Sequence, residues 1–253
     1  MLKMRVGMQC VIGALACAAL AGCGSSGAKS ASGATTPSTV ATSVPVSTQP
    51  PTTVKAFDPK QPINLGGTPG VTHAEQMRAE KLLRSTIADL PKYESPSTAV
   101  AAGYRSIGDS LTGDEHYVKW SYVNDGDILD PKKPESLVYE WRGGKQSLVA
   151  AMYMLPFGSH FTDIPDVGGA LTQWHVHKDL CLTDDPEQKV VAGLTSVDGA
   201  CPAGTAKAGD TPMLHVWIVP NQCGPFAALE GVGAGQVPEG QTRLCDTAHG
   251  QTP

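Results

Sequence analysis

The first regular pattern of apolar positions along the chain has the spacing of a helix. Thr72 and Glu75 are three residues apart, as in the capping box that starts many helices. Apolar residues then recur every three or four positions, at Ala79, Leu82, Leu83, Ile87 and Leu90. Pro91 is expected to end this helix, and Ser95-Pro96 to begin a second, shorter one that Gly103 ends. The sequence therefore predicts two consecutive helices.

After these helices the pattern changes to the two-residue alternation of strands. Turn residues such as Asn124-Asp125-Gly126 and Gly143-Gly144 separate the apolar runs. The strands are predicted at residues 116–123, 137–142, 147–155, 171–178 and 213–219. Two helices followed by strands, without repeated βαβ units, predict an α+β fold with a mostly antiparallel sheet or a small β-barrel.

The N-terminal segment resembles the signal peptide of a bacterial lipoprotein. Lys3 and Arg5 precede an apolar run that ends in Leu20-Ala21-Gly22-Cys23, which resembles a lipobox. The run is short for a transmembrane helix, which needs about 20 apolar residues. The resemblance implies that residues 1–22 are removed and that Cys23 carries a diacylglyceryl group. This lipid would anchor the protein to the extracytoplasmic face of the cell membrane.

Composition separates a tether from a single folded domain. Residues 24–56 are rich in Ser, Thr and Pro and contain no acidic residue, which is typical of a disordered segment. We therefore expect a lipidated tether over residues 23–70 and one domain over residues 71–253. The chain is 41% hydrophobic, which excludes a fully disordered protein. A net charge of −5 offers no basic face, so nucleic acid is not an expected partner.

The cysteines of the predicted domain indicate a disulfide framework. Four remain after the lipidated one: Cys181, Cys201, Cys223 and Cys245. An even number in an oxidising compartment favours two disulfides, for which the sequence allows three pairings. We expect Cys181–Cys201 and Cys223–Cys245, because each pair would close one loop rich in Gly and Pro. A thiolate metal site is the alternative, although the C-x₂-C spacing of zinc sites is missing.

A pair of histidines gives the sharpest chemical indication in the chain. On a strand, His175 and His177 would point to the same face, about 7 Å apart along the chain. Two imidazoles at this separation can converge on one ion, and imidazole suits Zn, Cu, Fe or Ni. The alternative is that each ring is an ordinary hydrogen-bonded core or surface histidine. The pair predicts a shared transition-metal site.

Two further histidines are candidate ligands because of the faces that they share. His215 alternates with Met213 and Trp217, and His116 alternates with Val118 and Trp120. An apolar face is a costly place for a polar ring unless the ring has a partner, and a shared ion would supply one. The metal could be Zn, Cu, Fe, Mn or Ni. Glu140 and His160 are weaker candidates, and His73 and His249 are expected near surfaces.

Residues 169–177 resemble the first half of a cupin signature, in which a Gly, five residues and His-x-His follow one another. The rest departs, because Cys181 and Leu182 stand where cupins place a Glu, and Pro212 replaces a Gly. The resemblance makes a small barrel with an interior metal an expectation. The segment Trp174-His175-Val176-His177 is called the WHxH motif below. This motif, and more broadly residues 116–226, resemble a family of secreted bacterial proteins, and this resemblance implies no particular activity.

A second motif competes with the metal site. Gly108-Asp109-Ser110-Leu111 resembles the nucleophile block of GDSL-type esterases, and Asp246 and His249 match their C-terminal Asp-x-x-His. The resemblance implies that Ser110 attacks an ester while His249 takes its proton. The chain lacks the βαβ units of that fold, so a turn and a solvated tail are the simpler interpretation.

The sequence thus predicts a surface lipoprotein with a histidine-based domain for metal binding, storage or sensing. A cupin-like metal enzyme is the second hypothesis, and would need an open coordination position. A serine esterase is the third, and a protein-interaction module without metal is the remaining one.

Overall fold

The structure, a computed structural model, describes residues 55–110, 113–177, 179–185 and 188–228. Cys23, with the predicted signal peptide and most of the predicted tether, lies outside the described residues. Within them, no helix combines the length and apolar content that a membrane span needs.

Helix α1 (His73–Asp89) begins at the predicted capping box. The hydroxyl of Thr72 accepts from the backbone N–H of Glu75 at 3.2 Å, and the Glu75 carboxylate accepts the backbone N–H of Thr72 at 2.6 Å. The Thr72 hydroxyl also donates to this carboxylate at 2.6 Å, and the two bonds that the carboxylate accepts from Thr72 lower the pKa of Glu75. A 3₁₀ turn (Leu90–Tyr93) follows, and Ser95 caps helix α2 (Pro96–Ala101). Both helices lie where the sequence predicts them.

Strands make up most of the remaining regular structure. The described strands are β1 (Arg105–Ser106), β2 (Asp114–Val118), β3 (Ser136–Arg142), β4 (Lys145–Met154), β5 (Leu180–Thr183), β6 (Val191–Leu194), β7 (Thr205–Lys207) and β8 (Met213–Trp217). They form two antiparallel sheets, one in the order β1-β2-β3-β4-β8 and one in the order β6-β5-β7. Neither sheet closes on itself, so the α+β class with an antiparallel sheet is confirmed and the alternative of a small barrel is wrong.

The two faces of the large sheet bury different sets of side chains. One face packs against helix α1, where Ala79, Leu82 and Leu83 meet Tyr153 and Leu214 in the main core. The other face carries a second buried cluster: Val118, Val138, Ala150, Met152, Met154, Met213 and Trp217. This second face looks toward the small sheet and holds the candidate site. All these elements belong to one unit, Gln49–Pro253.

Residues before the predicted domain boundary also pack into the core. The backbone of Phe57 exchanges hydrogen bonds with Asn221, and the side chains of Phe57 and Leu65 are each 7% exposed. This contact extends the packed part of the chain N-terminal to Val71, where the sequence predicts the domain to begin.

Two predicted strands differ from the structure. Strand β2 ends at Val118, and helix α3 (Trp120–Val123) takes the place of the second half of the predicted strand 116–123. The ammonium of Lys119 donates to the hydroxyl of Tyr122, three residues on, which a helical turn allows and a strand does not.

The predicted strand 171–178 does not form over its described residues 171–177. A 3₁₀ turn (Gly169–Leu171) begins this stretch, and only His175 then pairs with a strand, through an isolated bridge to Met213. No further ladder forms, because the backbone N–H of Gln173 donates to the carbonyl of Phe226, in the loop after β8, at 3.3 Å.

Candidate functional site

The large sheet brings two distant histidines into contact. His116 lies on β2 and His215 on β8, three strand spacings of about 4.8 Å apart in the sheet order. Their Nε2 atoms are nevertheless only 3.4 Å apart. The sheet must therefore curl strongly, and the extra residue Val149 of β4, which falls between the partners of Val138 and Tyr139, is one feature that bends it. The two side chains converge over the concave face.

The WHxH segment adds two more rings to this pair. The ring centroids of His175 and His215 are 4.8 Å apart, and those of His175 and His177 are 5.2 Å apart. All four side chains are buried, with at most 8% exposure. We call His116, His175, His177 and His215 the histidine cluster. The cluster forms a chain of neighbouring imidazoles, in the order 116, 215, 175, 177.

Hydrogen bonds fix the orientation of two rings of the histidine cluster. Nδ1 of His116 lies 2.6 Å from a carboxylate oxygen of Asp109, and the other oxygen accepts the His116 backbone N–H at 2.8 Å. Nδ1 of His175 lies 3.3 Å from the carbonyl of Gln173. In a neutral ring that donates from Nδ1, the lone pair is at Nε2. Both contacts therefore suit rings that present Nε2 to a ligand.

Two glycines position the segment that carries His175. A Cβ on Gly169, whose φ is +51°, would lie 2.4 Å from the Glu75 carboxylate, and a Cβ on Gly168 would lie 3.1 Å from that of Ala79. A side chain at Gly168 would thus crowd Ala79 of helix α1, and one at Gly169 would displace the Glu75 carboxylate that caps this helix. Two backbone hydrogen bonds between His175 and Met213, of 3.0 and 2.9 Å, then align the segment with β8.

A cavity of about 160 Å³ adjoins the histidine cluster. It lies between the two sheets, with Leu180, Leu182 and Leu194 on the small sheet and Val118, Met152 and Met213 on the large one. His116, His177, Asp109 and Asp179 also line it. An apolar cavity with a few convergent polar groups is the usual form of a small-molecule or ion site.

The rings contact one another directly in this conformation. In the part of the chain that the structure describes, no three or more His, Cys, Asp or Glu side chains are arranged to hold a metal ion. A separation of 3.4 Å between Nε2 atoms still matches what an ion requires, because two ligands of a tetrahedral zinc are about 3.3 Å apart. The pair His116–His215 can thus share either a proton or a cation.

The predicted disulfide Cys181–Cys201 is confirmed. It joins β5 to the connection between β6 and β7, and so braces the small sheet that covers the cavity. Cys223 is disulfide-bonded as well, but its expected partner Cys245 lies outside the described residues.

The other sequence-predicted residues are not part of the histidine cluster. Asp109 of the esterase-like motif binds His116, while the neighbouring Ser110 is exposed. His249 lies outside the described residues, so the pair Ser110–His249 stays a prediction. Glu140 binds Arg142 near the surface, and His73 and His160 are exposed.

Sequence reasoning placed Met213 on the face of His215, but it missed Asp109, Met152 and Met154 as neighbours of the histidine cluster. In the sequence, Asp109 stands out only as a turn residue beside Ser110. It lies seven residues before His116, a separation that a tight hairpin can bring together. Met152 and Met154 alternate along one strand, as the histidines do, and this alternation was the available signal.

Comparison of the chain with protein-family models, curated proteins and solved structures gives no match. The resemblances to lipoproteins, to cupins and to secreted proteins with a WHxH motif therefore stay predictions.

Proposed function

We propose that this protein is a lipid-anchored, extracytoplasmic protein whose domain binds a transition metal through the histidine cluster. One observation carries the proposal: four buried histidines from three separate parts of the chain contact one another in a single group. Buried imidazoles are the commonest metal ligands, and a metal ligand usually donates its other nitrogen to a carboxylate or a carbonyl. Asp109 and the carbonyl of Gln173 supply such acceptors.

Binding requires a small rearrangement of the cluster. The Nε2 atoms of His116 and His215 already have a separation that suits an ion, but the rings of His175 and His177 must turn toward that ion before they can bind it. The cavity beside His116 and His177 gives these rings space to move. The lipid anchor on Cys23 would keep the bound metal at the membrane surface, as the resemblance to lipoproteins implies.

Metal content of the full chain tests the proposal. The detergent-solubilised protein is stripped with a chelator, dialysed separately against Zn, Cu, Fe, Mn or Ni, and analysed by mass spectrometry. We expect stoichiometric metal in the wild type and in His73→Gln, an exposed histidine outside the cluster. His116→Gln and His215→Gln should lose the metal.

Thermal unfolding of the wild type gives a second measurement that does not depend on how well the variants fold. A bound ion stabilises the native state by about 4 kcal/mol at a thousand times its Kd, which raises Tm. If none of the five metals binds and none raises Tm, the proposal is wrong.

A metal-dependent enzyme is the second candidate, and the cavity next to His116 and His177 is the observation that favours it. An enzyme needs a coordination position that a substrate can reach, whereas four protein ligands close the site. Addition of azide to the Co(II)-loaded chain distinguishes the two cases. A change in the visible spectrum would show an open position and favour the enzyme, whereas an unchanged spectrum would favour storage or sensing.

A further inference from the structure

Three methionine side chains line the cavity that adjoins the histidine cluster. The chain has seven methionines, and Met152, Met154 and Met213 all line the cavity together with His116 and His177. Each of the three is buried, with 4–7% exposure. Another methionine of the described residues, Met77, lies on helix α1 with 59% exposure.

The strand register places two of these methionines directly beside His215. In the antiparallel pair β4–β8, Met152 lies opposite His215 and Met154 lies opposite Met213. Side chains opposite one another share a face, as do those two residues apart on one strand. His215 therefore has Met152 across the ladder and Met213 along its own strand, both on the concave face.

Met213 is also tied to the WHxH segment. Its backbone exchanges two hydrogen bonds with that of His175, so this methionine lies between two histidines of the cluster. A methionine side chain is unbranched and turns about three bonds, which lets its sulfur reach into irregular space. Both sulfurs can thus approach an ion that His215 binds.

Ligand softness distinguishes the metals that this environment could hold. Zinc takes thiolate, imidazole and carboxylate ligands, whereas a thioether is a soft ligand that selects Cu(I). We propose that the histidine cluster takes copper in its cuprous state, and that the thioethers of Met152 and Met213 complete the ligand set. This inference rests on the proposed function, because it names the metal for the same site.

An ordinary role in packing would explain one buried methionine but not this arrangement. Leu or Ile fills a sheet face with better-defined side-chain conformations, and the opposite face of β8 uses Leu214 and Val216 in this way. On the concave face, by contrast, the residues of β4 and β8 that line the cavity, at positions 152, 154 and 213, are all methionine. These methionine side chains thus line the same cavity as the imidazoles of His116 and His177.

Competition titrations of the full chain test the inference. The protein is titrated anaerobically with Cu(I) against a chromophoric cuprous chelator, and separately with Zn(II) against a zinc indicator. The test variant is the double substitution Met152→Leu and Met213→Leu, which nearly conserves volume and should leave the fold intact. Met77→Leu is the matched control, because this methionine is exposed on α1.

We expect the double variant to lose at least about tenfold in Cu(I) affinity while its Zn(II) affinity stays unchanged, since only copper uses the sulfurs. X-ray absorption at the copper edge should show sulfur neighbours in the wild type and fewer in the variant. The control should behave as the wild type does.

The outcomes separate this inference from the proposed function. Equal Cu(I) affinity in the wild type and the double variant would overturn the role of sulfur, while loss of metal in His215→Gln would leave the histidine site standing. If the wild type binds another of the five metals but not Cu(I), only this inference fails, and if it binds none of the five, both proposals fail.

Discussion

Asp109 connects the turn after β1 to the chemistry of the histidine cluster. Its two carboxylate oxygens accept from the ring and from the backbone N–H of the same residue, His116. This double contact fixes the ring against rotation and favours the tautomer with its lone pair at Nε2. A buried carboxylate at 7% exposure is costly, and these contacts offset the cost.

Replacing this carboxylate should weaken metal binding without removing a ligand. We expect Asp109→Asn to lower metal affinity by roughly 10- to 100-fold, because the amide no longer holds the imidazole in one tautomer. Affinity is measured by competition with a chelator on the full chain.

Asp179→Asn is the matched control, because Asp179 lines the same cavity but does not bind a ring of the cluster through any described hydrogen bond. If both variants lose affinity equally, general negative charge in the cavity, rather than orientation of His116, explains the effect.

The glycine turn before the WHxH segment sets how this segment lies against helix α1. Gly169→Ala should lower the free energy of unfolding by about 2 kcal/mol or more, since it combines a positive φ with a collision at Glu75. Denaturant unfolding measures the change.

Gly143→Ala provides the comparison for this turn, because Gly143 has a φ of +58° and no atom within 4 Å of an added Cβ. This variant should lose only the part of the stability that arises from backbone strain, about 1 kcal/mol. Equal losses in the two variants would contradict the close approach of the turn to α1.

The longer regular elements could be predicted from the sequence, whereas the short strands β1, β5, β6 and β7, and with them the whole small sheet, were not predicted. Helix α1 and strands β3, β4 and β8 have a local cause, since capping and alternation are visible in the residues themselves. Residues 120–123 and 171–177 carry strand-like residue types, but the local contact of Lys119 with Tyr122 and the tertiary contact of Gln173 with Phe226 hold a different backbone.

The candidate site shows the same limit. The alternation of side chains along predicted strands indicated the four histidines as candidates for one site, and the structure brings their rings together. Which other side chains join them depends on the register between β4 and β8, and on how far the sheet curls. Neither the register nor the curl can be inferred from the spacing of residues along one strand, so the sequence does not predict Asp109 and Met152 as neighbours of the histidine cluster.

Glu135 makes the stability of the whole domain depend on pH. Its side chain is 1% exposed, and a carboxylate oxygen accepts the backbone N–H of Met154 at 3.1 Å. Burial raises the pKa of Glu135 from 4.5 to about 8, and the charges of Asp125 and Asp130 add to this. The native protein therefore keeps a proton at neutral pH that the unfolded chain releases.

The free energy of unfolding should consequently fall as pH rises from 4.5 to about 8. The contribution of Glu135 to this slope is at most about 1.4 kcal/mol per pH unit, because the native state binds one more proton than the unfolded state. Glu135→Gln should flatten the profile, as measured by denaturant unfolding at several pH values. An unchanged slope would show that Glu135 is ionised in the native protein.

The contact between His116 and His215 also has a consequence for how the domain is made. These residues are 99 positions apart in the chain. Their rings meet only after the large sheet that carries both of them has formed. Contacts of such long range are slow to form, because the chain loses loop entropy before the contact compensates for it. During synthesis, His116 emerges long before its partner does. The proposed metal site therefore depends on the finished domain, because a nascent or truncated chain that ends before β8 lacks His215.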